Sequence, residues 1–318
     1  MADCIIRDGM VKRVDKHFYF RYGRDLIEKI NRVVREEMKS PQCSLFFKHD
    51  CLNVSGDVPT GFDEIINRTV LNFVHERKEV FPVILVSEET GVDVIGDNPR
   101  HFMLVDPIDG SNNVRPWLTP SPVLSVSIAF GKLADLEITG NHRALEFTMQ
   151  KEIFADKWYY SSDDCSYYQS EGEELKLRTS PLTKLYKKAV IGIDLDVQSS
   201  TPINQLNLLT SELVLRRAGS SILDLCQVAS GQYDAYVSLG RRLKVTDVCQ
   251  PFHLVQCAGG DFQMKVYLNG QTNTGLHDTF LYDIIKTREV SLLNKLKFNV
   301  IAAGTPELGR ELARLTGF

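Results

Sequence analysis

"HFMLVDPIDGSNN", residues 101–113, is the stretch on which the reading of this chain turns. His101 to Val105 has the character of a short buried strand. It runs straight into two aspartates three apart, Asp106 and Asp109, and then into a Gly-Ser-Asn-Asn run. A hard divalent cation such as Mg2+ takes oxygen ligands in near-octahedral geometry, and two carboxylates on one turn suit it. Pro107 has a fixed φ and no N–H, which stiffens the turn and leaves the Ile108 carbonyl as a third oxygen. Gly110 lets the backbone approach a ligand closely. Ser111 to Asn113 would open a helix whose N–H groups face an anion. A capped turn with no metal is the plain alternative. An EF-hand loop fits poorly, because its alternating ligand positions fall on Ile108 and Gly110. A P-loop lacks its Gly-Lys-Ser/Thr.

Other acids stand in similar places. Glu88 and Glu89 follow the apolar run 80–86 (VFPVILV), and Asp247 opens an apparent helix, 247–258 (DVCQPFHLVQCA). Each has an ordinary explanation, a solvated strand end or a helix cap. Together, four carboxylates in one crevice would repel strongly unless cations filled it.

Around these motifs the chain alternates between helical and strand patterns. Leu26, Ile27, Ile30, Val33 and Val34 form one face of a helix over 22–38. Phe62, Ile65, Ile66, Phe73 and Val74 mark another over 61–78, with Thr60 as N-cap and Asp63 three residues on. Strands are expected at 80–86, 101–105, 123–130, 189–193, 233–237 and 298–302, and helices at 204–217, 221–229, 247–258 and 306–315. Residues 159–181, rich in tyrosine and polar side chains, read as irregular hairpin loops. The alternation predicts an α/β fold in layers. A boundary near 182–188 would divide it into halves, 1–185 with the Glu-Glu and DPIDGSNN motifs and 186–318 with Asp247 and the substrate loops.

The bulk composition excludes several classes. At 318 residues the chain can bury a full core. A net charge of −4 gives no nucleic-acid footprint. Seven scattered cysteines without a C-x-x-C pair indicate reduced thiols in a cytoplasmic protein rather than a zinc site or disulfide framework. The N-terminus has no signal-peptide core, and no apolar run is long enough to span a membrane.

"SEE" (87–89), "DPIDGSNN" (106–113) and "TDVCQPFHLVQCAGG" (246–260) resemble, in order and spacing, the three signatures of the inositol monophosphatase family, the magnesium-dependent, lithium-sensitive phosphatases. "SGDVPTGFDEIINRTV" (55–70) and "RRAGSSILDLCQVASGQYDAYV" (216–237) resemble two further segments. The resemblance runs from about residue 20 onward and is nearest to the archaeal-type branch, which acts on inositol 1-phosphate and fructose 1,6-bisphosphate. It implies a layered α-β-α-β-α sandwich and hydrolysis of a small-molecule phosphate ester with two or three Mg2+ ions. Glu88, Asp106 and the Ile108 carbonyl would hold the first ion, and Asp106, Asp109 and Asp247 the second. A weaker third would rest on Glu88 and waters. The ions would activate a water for in-line attack. Glu88, Asp109 and the Ser111 hydroxyl would act in catalysis, with Gly110 and Ser111 holding the phosphate. Asp57, Thr60, Asp63 and Glu89 would support the ligands. Lithium inhibition and a homodimer are family expectations.

The substrate is less determined. Asn112, Ser220 and Ser221 are candidate substrate contacts by resemblance, and Ser238 falls where inositol-reading relatives often carry an acid. Thr246-Asp247 stands where many members have Trp-Asp. The basic run before it, with Arg241, Arg242 and Lys244, would hold a second phosphate and favour fructose 1,6-bisphosphate. Alternatively, tyrosines of 159–168 would stack an adenine, favouring 3′-phosphoadenosine 5′-phosphate. "GIDLDVQ" (192–198) also matches a haloacid-dehalogenase nucleophile motif, but a polar strand end is the better reading of Asp194.

Overall fold

The computed structural model describes residues 14–39, 61–114, 122–162, 164–194, 213–273 and 275–318. Helix α1 (Lys16–Glu37) begins earlier than its apolar stripe suggested, because the Asp15 carboxylate accepts from the Phe18 N–H at 2.9 Å and caps it. Helix α2 (Gly61–Glu76) lies beside it; the expected cap, Thr60, falls outside the described residues.

The first sheet follows: β1 (Val83–Ser87), β2 (Gly91–Ile95), β3 (His101–Asp109), β4 (Ser125–Lys132), a short helix α3 (Leu133–Thr139), β5 (Leu145–Glu152), β6 (Lys157–Ser162), β7 (Cys165–Ser170) and β8 (Glu173–Lys176). The order is β2-β1-β3-β4-β5-β6-β7-β8, antiparallel except for the parallel pair β1–β3. Segment 159–181, expected to be irregular, is therefore largely regular antiparallel strand at the sheet's far edge. Its tyrosines alternate between Tyr159, fully buried, and Tyr160, which stacks on Tyr167 with ring centroids 5.3 Å apart.

The second sheet is built from β9 (Val190–Ile193), β10 (Val214–Arg216), β11 (Ala235–Leu243), β12 (Asp261–Leu268), β13 (Gln271–Thr272) and β14 (Leu296–Ala303), in the order β10-β9-β11-β14-β12-β13. Helices α4 (Ser221–Ala229), α5 (Val245–Cys257), α6 (Phe280–Thr287), α7 (Val290–Lys295) and α8 (Pro306–Thr316) complete the described elements. The helix expected at 204–217 falls mostly outside the described residues, and its end, Val214–Arg216, is strand β10 instead. Strand β11 runs six residues past the expected Val237. Its Leu239 and Leu243 are buried, and an irregularity between Ser238 and Leu243 is held by the Asn299 side chain accepting from the Arg241 N–H at 2.8 Å.

The layers are α-β-α-β-α. Along β3, Met103 and Val105 face α1 and α2, while Phe102 and Leu104 face α4 and α5 between the sheets. Burial on both faces explains why β1 and β3 read as continuous apolar runs. Beyond the second sheet, Leu308 and Leu312 of α8 pack on Ile301 and Ala303. The two-residue period of a strand decides where the charges go. Asp106 lies on the face of Phe102 and Leu104, and Glu88 on that of Ile84 and Val86, so both point toward the middle helical layer.

Candidate metal centre and cleft

The parallel register pairs Ser87 with Val105, so Glu88 and Asp106 leave the sheet side by side. Helix α5 begins at Val245 rather than 247, which places Asp247 in its first turn. There its Oδ2 accepts from the Lys244 N–H at 2.8 Å. Pro251, four residues on, lacks the N–H that would bond the Asp247 carbonyl. Oxygens of Glu88, Asp106 and Asp247 all lie within 4.8 Å of one another.

Asp106 is 1% exposed. Its Oδ1 accepts from the Ile108 N–H at 3.1 Å, and its Oδ2 is buried with no hydrogen-bond partner among the described residues. A buried carboxylate oxygen left unpaired is costly unless something compensates it. The electrostatics agree. Burial, then Glu88, Asp109 and Asp247, push the Asp106 carboxyl well above the usual range. Burial, then Glu88 and Asp109, push Asp247 to about 8. Three convergent carboxylates, one of them with an orphaned oxygen, make an all-oxygen donor set that fits a hard divalent cation such as Mg2+.

Asp109 lies past an irregularity in the β3–β4 pairing that follows Asp106 and contains Pro107. Its Oδ2 accepts from Ser220 Oγ at 2.6 Å and from the Ile222 N–H at 2.9 Å, at the start of α4. Burial raises its carboxyl to about 6, with these hydrogen bonds opposing the rise. Ser220 lines the cleft, but its hydroxyl is committed to Asp109 and also accepts from the Leu223 N–H at 3.2 Å. As the cap of α4 it positions an aspartate, which resemblance alone did not suggest. Ser111 to Asn113 forms a single 3-10 turn rather than the expected longer helix. Gly110 enters it at φ 89°, where a Cβ would meet the Val123 carbonyl at 2.7 Å. Asn113 Nδ2 shares its hydrogens among the carbonyls of Val123, Ala218 and Gly219, tying this turn to the 217–220 loop.

Glu88, Asp109, Ser220 and Asp247 line one cleft of about 380 Å3. Ile108, Gly110, Ser111, Asn112 and Ser221 also line it. Arg242 and Lys244 line it too, but Arg241 does not. The guanidinium of Arg241 sits over the Tyr267 ring at 4.5 Å and donates to the Gly270 carbonyl, because Arg241 takes a left-handed turn in β11 that sends its side chain away. Lys244 is ion-paired with Glu88. Glu89 is half-buried in the turn after β1, with its N–H donating to Ser87 Oγ at 3.3 Å. Asp63 is buried in the first turn of α2, and Asp57 lies outside the described residues. The tyrosines of 159–168 do not line the cleft, so this structure offers them no part in stacking an adenine there.

Sequence reasoning missed Arg217, Asp224, Tyr236 and Lys297, which share the cleft. Arg217 is the first residue of the RAGSS segment and had a local signal; Lys297, at the start of β14, had none. Asp224 accepts from the Ala218 N–H at 3.1 Å, and burial raises its carboxyl to about 7. Asp194 lines the cleft as well, and Ser238 Oγ donates to it at 3.2 Å.

The sequence model of the inositol monophosphatase family matches residues 20–282. The bifunctional NADP phosphatase/NAD kinase of Methanocaldococcus jannaschii is 26% identical over 232 residues, which are 63% of this chain and 39% of that protein. The fructose-1,6-bisphosphatase/inositol-1-monophosphatase of Methanothermobacter thermautotrophicus is 29% identical over 185 residues, 56% of this chain and 62% of that one. This chain thus spans less than two thirds of the length of either relative. The crystal structure of the extragenic suppressor protein suhB of Bartonella henselae superposes with a TM-score of 0.64 at 19% identity, covering 94% of this chain and 98% of that one. Among the described residues no helix is long and apolar enough to cross a membrane.

Proposed function

The chain belongs to the inositol monophosphatase family, and we propose that it is a Mg2+-dependent phosphatase of a small phosphate monoester that carries a second anionic group. The observation that carries this reading is the pairing of two walls in one cleft. Glu88 and Asp247, two of the three convergent carboxylates, line a cleft whose other lining includes Arg217, Arg242 and Lys297. Fructose 1,6-bisphosphate has the matching chemistry, with one phosphate for each wall. Inositol 1-phosphate would meet only the acidic wall with its phosphate and would leave the arginines to its hydroxyls. A phosphorylated nucleotide is the second reading, supported by the NADP phosphatase named among the relatives.

Glu88, Asp106, Asp247 and the Ile108 carbonyl would hold one Mg2+, and Asp109 with Asp106 and Asp247 a second. When bound, the metal supplies Lewis-acid activation of a water and neutralises phosphate charge. The chain's own groups do the rest. Ser220 and the Ile222 N–H hold Asp109 in its ionised form and fix its orientation. The Ser111 hydroxyl and Glu88 would take up and steer the proton of the attacking water. The N–H groups of Gly110 and Ser111 would hold phosphate oxygens where negative charge builds in the transition state. Asn113 fixes the spacing between that turn and the loop carrying Arg217. The same reading includes a homodimer in the cytoplasm and inhibition by lithium.

The test is Mg2+-dependent phosphate release from fructose 1,6-bisphosphate, inositol 1-phosphate and 3′-phosphoadenosine 5′-phosphate. Fructose 1,6-bisphosphate should give the highest kcat/KM. Arg217→Met should raise its KM by roughly tenfold while leaving inositol 1-phosphate within about twofold, since an exposed charge-assisted contact is worth about 1.5 kcal/mol. Release from none of the three would overturn the phosphatase reading. A preference for the nucleotide would favour the second one.

A further inference from the structure

Lys244 is the residue of the cleft whose placement the proposed chemistry leaves unexplained. It stands between β11 and α5, three residues before Asp247. Its side chain is 10% exposed, and its ammonium is in contact with Glu88 Oε1. Its backbone N–H holds Asp247 Oδ2 at 2.8 Å. One residue thus touches two of the three carboxylates that converge, by its charge on one side and by its main chain on the other. A cation buried to this degree is held where negative charge compensates it. The geometry also restricts its movement, because the backbone on both sides is fixed, by Leu243 in β11 and by Val245 in the first turn of α5, both buried.

We propose that the Lys244 ammonium is a fixed cation of the metal centre, occupying the Glu88 edge of the carboxylate cluster in place of a divalent ion, so that the site takes up no more than two. This rests on the reading of the cluster as a Mg2+ site and goes beyond it. Glu88, Asp106, Asp109 and Asp247 bring four negative charges, which two divalent ions together with the Lys244 ammonium already exceed by one. A third ion on Glu88 would have to share an oxygen with a resident ammonium. Adjacent like charges of that size cost the incoming ion at least about tenfold in affinity. The lysine also holds Glu88 toward the cluster when metal is scarce, which makes it a positioning residue for that carboxylate.

The experiment is isothermal titration calorimetry of the full chain with Mg2+ alone, repeated with Mn2+ and counted by electron paramagnetic resonance. Wild type is compared with Lys244→Met, which keeps the apolar stem, and with Lys244→Arg, which keeps the charge. Wild type and Lys244→Arg should take up two ions. Lys244→Met should take up a third, or bind its Glu88-side ion at least tenfold more tightly. Thermal melting with and without Mg2+ checks that each variant is folded, and Lys244→Gln serves if Lys244→Met is not. Uptake by wild type that the uncharged variant leaves unchanged in number, and within twofold in affinity, overturns the proposal alone. No uptake by wild type overturns the metal-centre reading itself, and the proposal with it. Three ions in wild type overturn the proposal while leaving that reading intact.

Discussion

The acidic and basic walls of the cleft rest on different supports. Glu88 and Asp106 extend from neighbouring parallel strands buried on both faces, Asp109 is tied to the start of α4, and Asp247 sits in the buried first turn of α5. Arg217 follows a three-residue edge strand, and Arg242 lies where β11 loses register with β14; both are exposed. The acidic wall is held by backbone that cannot shift without unpacking the core. The two arginines of the basic wall hang on long, exposed side chains where the second sheet loses its regular pairing. Chemistry common to a family belongs on the first kind of support, and choice of substrate on the second.

Substitutions can break that contrast, and the largest effect is expected on the acidic side. Asp109→Asn should lower kcat by about a thousandfold or more in a phosphate-release assay, because the amide cannot replace a charged ligand. Loss of less than tenfold would count against the placement of Asp109 at the reacting centre.

Gly219→Ala tests the tie between the walls. Gly219 has φ 77°, and a Cβ there would lie 2.5 Å from Asn113 Oδ1. Strain plus displacement of Asn113 should cost roughly 1–3 kcal/mol in urea unfolding and lower kcat by at least about tenfold. A neutral substitution would mean that the tie is dispensable.

The third test concerns charge rather than shape. Without metal, Asp247 has a folded pKa of about 8 and Asp224 of about 7, both above their unfolded values. The native state therefore binds more protons than the unfolded one, and stability falls as pH rises toward those values. The buried imidazoles of His101 and His142 are depressed to about 4 and about 3 by desolvation. They act in the opposite sense, losing stability as pH falls below about 6.5. The window from pH 6.5 to 8 thus isolates the carboxyls. In chelator, stability should drop there by about 2 kcal/mol, lowering Tm by roughly 3 °C. Millimolar Mg2+ should remove the larger share of the drop, which belongs to Asp247, and leave the share of Asp224. A metal-free Tm flat across the window would contradict the raised carboxyls.

The smallest effect is expected from Asp194→Asn. Its partner Ser238 can hydrogen-bond an amide as well as a carboxylate. Turnover should stay within about fivefold, with any change in KM. Abolished turnover would instead point to Asp194 as a nucleophile.

How far these features were legible differs by residue. The apolar runs of β1 and β3, the stripe of α1 and the acids after them could be read locally, because strand and helix periods act over a few residues. The edge strands β6 to β8 could not. Their tyrosines and serines are polar enough to pass for loop, even though each strand pairs with the one before it through a short hairpin turn. Lys297 and Asp224 carried no sign of the cleft, since what brings them there is β14 pairing with β11 and α4 packing between the sheets.

The sequence by itself determined the family: carboxylates of the right type, at strand ends and a helix start, in an order and spacing specific enough to identify it. Only the tertiary structure decided which cations share the cleft with them. It turned Arg241 away, brought in Arg217 and Lys297, and set Lys244 against Glu88. The physical reason is reach. A carboxylate's position follows from the short, periodic backbone that carries it, whereas a lysine or arginine goes where the packing of distant elements leaves room and opposite charge.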